Sequence, residues 1–184
     1  MLKIADQIFN IESSEFLAHI SIGQEGWRVT WNIEFRAQKK EINGIDWQPR
    51  LSTHGFSTQL PNLENLSGAT LKLADYDEYE EPLFLLYIFE HEAVRDICLT
   101  FKHWEATSID FSLSGIADIY ADDNFGASLP VDVSLMLPFD GVVVDEGKME
   151  QAIEKFSMFF DASKFHLPES RGVGCGYIFR AARI

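Results

Sequence analysis

The sequence predicts an α+β fold dominated by antiparallel β-sheet, a meander free to curve towards a barrel, with one late amphipathic helix packed on it. Three observations carry this expectation: period-two alternation of apolar side chains in run after run, turn residues at short intervals between the runs, and one stretch of helical periodicity late in the chain. The chain has 184 residues, 46% hydrophobic and 13% aromatic, enough for one ordinary domain with a sizeable core. No linker, low-complexity segment or internal repeat divides it, so residues 1–184 read as a single domain.

In chain order, a short alternation from Phe16 to Ile22 precedes the cleanest one, between Gly26 and Lys39. There Trp27, Val29, Trp31, Ile33 and Phe35 fall on one side and Arg28, Thr30, Asn32, Glu34 and Arg36 on the other, the signature of a half-buried strand. Leu83 to Phe89 is apolar on both faces and suits a central strand, and Ile97 to Phe101 reads as one more. Ile109, Phe111 and Leu113 alternate within a strand running to Tyr120, which Gly115 interrupts; a bulge there would re-phase the inward side chains. Val131, Val133, Leu135 and Leu137 form a further strand bounded by Pro130 and Pro138. Asn43-Gly44, His54-Gly55, Ser67-Gly68, Asn124-Phe125-Gly126 and Asp140-Gly141 supply turns at intervals that favour antiparallel pairing over strand–helix alternation.

The helix is read from Met149, Ile153, Phe156 and Phe160, which step by four, three and four onto one face. Asp145 is placed as its N-cap, and Asp145 with Glu146 suits the positive end of the helix dipole. Beyond it Gly172, Gly174 and Gly176 loosen the chain before a last strand from Tyr177 to Arg180.

Glu12 and Glu15 break the apolar stretch that an export signal would need. The longest apolar run, Pro82 to Phe89, falls far short of the roughly 20 residues of a membrane-spanning helix. Cys98 and Cys175 are too few for a disulfide framework and read as packed thiols. A cytoplasmic protein without membrane contact is expected.

The formal net charge of −14 disfavours a nucleic-acid binder, which must neutralise phosphates with Lys and Arg. The charge is unevenly spread. Residues 1–74 carry a net −1, residues 75–169 a net −16, and residues 170–184 a net +3. Two clusters stand out: Asp75, Tyr76, Asp77, Glu78, Tyr79, Glu80 and Glu81; and Asp118, Tyr120, Asp122 and Asp123. As solvated loops they keep a protein soluble. As a docking surface they combine carboxylates that pair with Lys and Arg with tyrosines that add contact area at small entropic cost.

Chemical motifs are incomplete. His91-Glu92 opens like a zinc-protease signature, but Arg95 stands where the second His is required. From Asp118 a calcium loop would need an oxygen ligand at its third position and a Glu at its twelfth, where Tyr120 and Leu129 stand. Gly172 to Gly176 lacks the following helix of a phosphate cradle. Cys175 as a nucleophile would need one of the five His beside it, and His19, His54, His103 and His166 show no ligand spacing. No catalytic residue, metal ligand or cofactor is therefore assigned.

The expected function is non-enzymatic: a protein-binding module whose acidic surface, the two clusters above, caps a basic protein partner. In composition the chain resembles bacterial immunity proteins, which neutralise cationic toxins such as nucleases; the resemblance rests on general character rather than on any motif. It implies toxin neutralisation by direct occlusion. The alternative is a small-molecule-binding or hydrolytic protein with an aromatic-lined pocket in a curved sheet. A third role is assembly through an exposed edge strand, and the sequence does not exclude a homodimer.

Overall fold

The structure, a computed structural model, describes residues 1–23, 26–58, 63–77, 80–120, 126–172 and 174–182. Its strands are β1 (Leu2–Ile4), β2 (Gln7–Phe9), β3 (Ile11–Gly23), β4 (Gly26–Ala37), β5 (Lys40–Ile42), β6 (Ile45–Trp47) and β7 (Arg50–Thr53). A single-turn helix α1 (Leu63–Leu66) leads into β8 (Thr70–Lys72), β9 (Phe84–Tyr87), β10 (His91–Glu105), β11 (Ser108–Ala117), β12 (Leu129–Pro138) and β13 (Gly141–Val144). Helix α2 (Met149–Ser157) precedes β14 (Glu169–Ser170) and β15 (Tyr177–Phe179).

Among the described residues thirteen strands form one sheet, in the order β14-β15-β13-β3-β4-β7-β9-β10-β11-β12-β1-β2, with β8 also paired to β10. The α+β, mainly antiparallel expectation holds, and the sheet curls into a half-barrel. Alternation explains its faces. On β4, Val29, Trp31, Ile33 and Phe35 are buried, while Arg28 and Arg36 are exposed.

The concave side is filled by rings. Phe16 lies 5.6 Å from Trp31, 5.9 Å from Phe101 and 5.3 Å from Phe139, and Phe111 bridges Phe101 and Phe35. Aromatic pairs at these separations contribute about 0.5–1.5 kcal/mol each beyond their area burial.

Among the described residues antiparallel pairing has one exception, which the turn signals did not announce. β12 continues through Phe139 and Asp140 into β13, which pairs in parallel with β3, Gly141 opposite Leu17 and Val144 opposite Ile20. Asp140 makes the change of partner. Its N–H donates to the Phe16 carbonyl and its Oδ2 accepts the Phe16 N–H, both at 2.9 Å. One bent strand thus pairs with β11 in its first half and with β3 in its second, drawing the two sides of the curl together.

Helix α2 differs from expectation at its start and on its buried face. Lys148, not Asp145, is the N-cap, and no side chain caps the helix. Asp145 still behaves as strand, donating its N–H to the Ile20 carbonyl at 3.3 Å, so the chain turns only three residues later. The buried helical residues are Ala152 and Phe156, whereas Met149 is 43% and Ile153 39% exposed; Phe160 is buried but lies beyond the helix. Phe156 stacks on Phe179 of β15, with centroids 4.0 Å apart and planes at 12°. Ala152, one turn before Phe156, is also fully buried, while Met149 and Ile153 lie on the exposed side.

Gly115 sits in an unbroken β11, and the irregularity expected there falls on its partner. Arg95 pairs with Ile116 and Cys98 with Ser114, so β10 carries an extra residue in between. A Cβ on Gly115 would come within 2.7 Å of Val94 Cγ1 and 3.2 Å of the Arg95 carbonyl, so the glycine leaves the bulge its room.

Candidate acidic docking surface

The β10 bulge organises both acidic segments. Asp96 takes a left-handed conformation, with φ of 54°, which turns its N–H out of the ladder towards the residues after β8. Asp75 Oδ1 accepts that N–H at 2.7 Å, and Leu73 donates its own N–H to the Ile97 carbonyl at 3.0 Å. The segment is closed on itself by the Leu83 N–H donating to the Asp75 carbonyl at 3.0 Å and by a bridge between Tyr76 and Pro82. Within it the Asp77 N–H donates to the Glu81 carbonyl, and Asp77 Oδ1 accepts the Glu81 N–H, both at 2.9 Å. An aspartate that binds backbone a few residues on is a turn-former.

On the other side of β10, Arg95 donates from Nη2 to Asp118 Oδ1 at 2.7 Å and to Ser128 Oγ at 3.5 Å. The same Asp118 oxygen accepts the Ser128 N–H at 2.6 Å. The Ser128 N–H foremost, and then the Arg95 guanidinium, hold the Asp118 carboxyl below the usual carboxylate range. The Ile119 N–H donates to the Gly126 carbonyl at 2.9 Å and pinches the base of this second segment.

The two acidic stretches, remote in sequence, thus bind consecutive residues of one strand, Asp75 at Asp96 and Asp118 at Arg95. β8 and β9 pair with one side of β10 and β11 with the other, so the two segments flank this strand. Asp96 is itself exposed.

The expected site residues divide by role. Asp75, Asp77 and Asp118 each spend a carboxylate oxygen on backbone N–H groups. Glu80 and Glu81 are exposed, as are Tyr76 at 53% and Tyr120 at 71%. Glu78, Tyr79, Asp122 and Asp123 lie outside the described residues. Sequence reasoning missed Arg95, Asp96 and Ser128, because a positive φ and a long-range ion pair leave no local pattern to read.

Elsewhere, His19 is half-buried on β3, and burial holds its imidazole below the ordinary histidine value. Cys98 is half-buried and Cys175 exposed. Among the described residues no group of three His, Cys, Asp or Glu side chains is placed to hold a metal ion, and no helix is long and apolar enough to cross a membrane. No family model, curated protein or solved structure matches the chain.

Proposed function

We propose that this chain is a non-enzymatic binding module whose acidic surface caps a basic protein partner, as an immunity protein caps a cationic toxin domain. The observation that carries the reading is the meeting of the two acidic segments at Arg95 and Asp96. Asp75, Asp77 and Asp118 fix the loop bases, which lowers the ordering cost of binding. Glu80 and Glu81 are then offered to Lys and Arg of the partner, with Tyr76 and Tyr120 as anchors.

Such a field accelerates encounter, up to about 10⁸–10⁹ M⁻¹s⁻¹ for strongly steered pairs. Stopped-flow association with a basic partner, captured at low salt, tests the mechanism. The on-rate is expected to fall by about tenfold or more between low and high salt, because screening shortens the reach of the patch to a few ångströms. An on-rate indifferent to salt contradicts it.

One observation favours the alternative of an aromatic-lined ligand pocket: a cleft between Leu63, Phe159, Phe160 and Phe165. Its volume of about 170 Å³ is below the roughly 300–1,000 Å³ of small-molecule sites, which leaves docking as the better-supported reading.

A further inference from the structure

We infer that the cleft between α1 and the segment following α2 is a binding site for a small quaternary ammonium compound. Leu63, Phe159, Phe160 and Phe165 supply its apolar lining. Phe160 and Phe165 meet edge to face, with centroids 6.0 Å apart and planes at 69°, and form a corner. Phe159 is half-buried, and among the described residues no neighbouring ring stacks on it. The face of an aromatic ring is the negative pole of its quadrupole and attracts a cation. A quaternary ammonium group carries no N–H, so it can lie against such a wall without leaving a donor unsatisfied, as a primary amine would. The volume of about 170 Å³ suits a compact headgroup, since a cavity of about 150 Å³ holds a benzene ring.

The charged lining leaves one carboxylate over. Glu64, Asp161 and Lys164 are its ionisable members, and the Lys164 ammonium is bound to Glu64, so that pair is neutral as a whole. Asp161 Oδ1 accepts the Ser163 hydroxyl at 2.7 Å and the Ser163 N–H at 3.0 Å, and neither donor is a cation. Those bonds hold the Asp161 carboxyl below the usual carboxylate range, so it is ionised at neutral pH. Among the described residues no Lys or Arg forms an ion pair with it. The walls are fixed before any ligand arrives. Trp104 Nε1 donates to the Leu63 carbonyl at 3.0 Å, Asp161 caps the single 3-10 turn Ala162–Lys164, and the Ala182 N–H donates to the Lys164 carbonyl at 2.8 Å. Such preorganisation lowers the ordering cost of binding.

The inference stands apart from the docking role, because none of these residues belongs to the two acidic segments. It is tested on the isolated full chain, at about 0.15 M salt, by NMR titration with choline. Comparison ligands are its uncharged isostere 3,3-dimethylbutan-1-ol, ethanolamine and phosphocholine. Choline is expected to give saturable shifts of the amides of residues 159–165, and the isostere and ethanolamine to bind weaker by about fivefold or more. Phosphocholine should also bind more weakly, because Glu64 and Asp161 repel its phosphate; this separates a free ammonium compound from a lipid headgroup. Phe159→Leu keeps an apolar side chain but removes the ring face, and Asp161→Asn keeps an acceptor for Ser163 but removes the charge. Each is expected to weaken choline binding by about threefold or more and to leave the isostere within about twofold. Absence of saturable shifts, equal binding of the isostere or of ethanolamine, preference for phosphocholine, or choline affinity indifferent to either substitution overturns the assignment.

Discussion

Asp118 shows how much of this acidic chain's charge is structural. Its carboxylate receives the Ser128 N–H and the Arg95 guanidinium at one oxygen, and both favour the ionised form. A carboxyl held below its ordinary value of 3.8 adds stability above that value and loses it as pH falls through the folded-state value. Asp118→Asn keeps an oxygen for Ser128 but removes the charge facing Arg95. Its urea midpoint is expected below that of the parent at neutral pH, by an offset that stays constant down to about pH 5 and closes in stronger acid. An offset persisting undiminished at pH 2 to 3 would show that shape, not charge, is what the substitution removes. The sequence told which residues were acidic but not which were occupied. Glu80 and Asp77 look alike in the chain, and only the turn that Asp77 builds distinguishes them.

At the scale of elements, legibility followed the size and regularity of side chains. β4 could be read almost to its ends because five large apolar residues alternate there with polar ones. β10 could not: its first half, from His91 to Asp96, is polar and bulged, so only Ile97 to Phe101 shows a strand pattern, although the strand spans His91–Glu105. The α2 face was misread for a related reason. Period counting favours bulky residues, so Met149 and Ile153 outweighed Ala152, which is fully buried one turn before Phe156. The two faces make opposite predictions. Phe156→Ala is expected to cost about 3–5 kcal/mol in urea unfolding, through lost burial and the cavity left behind, whereas Ile153→Ala should cost less than about 1 kcal/mol. Equal losses would restore the face that periodicity suggests. The parallel ladder between β13 and β3 left no sequence mark, because no crossover helix joins two strands so distant in the chain.

For the whole molecule, the question is whether net charge or its arrangement governs association. A chain of net −14 attracts any cation at low salt, where the screening length reaches about 30 Å and the entire surface contributes. At physiological salt the length is about 8 Å, so only charges close to the contact act and local arrangement should dominate there. Two charge reversals separate these cases. Glu80→Lys with Glu81→Lys alters the exposed part of the docking surface; Glu150→Lys with Glu154→Lys alters exposed positions on α2 and changes the net charge equally. Near 0.01 M salt both pairs should slow association with a basic partner to a similar degree. Near 0.15 M the first pair should still slow it by about tenfold, while the second should fall within about twofold of the parent. If both pairs slowed association equally at the higher salt, the bulk charge of the chain would be steering the encounter, and the meeting of the acidic segments at Arg95 and Asp96 would be a feature of folding alone.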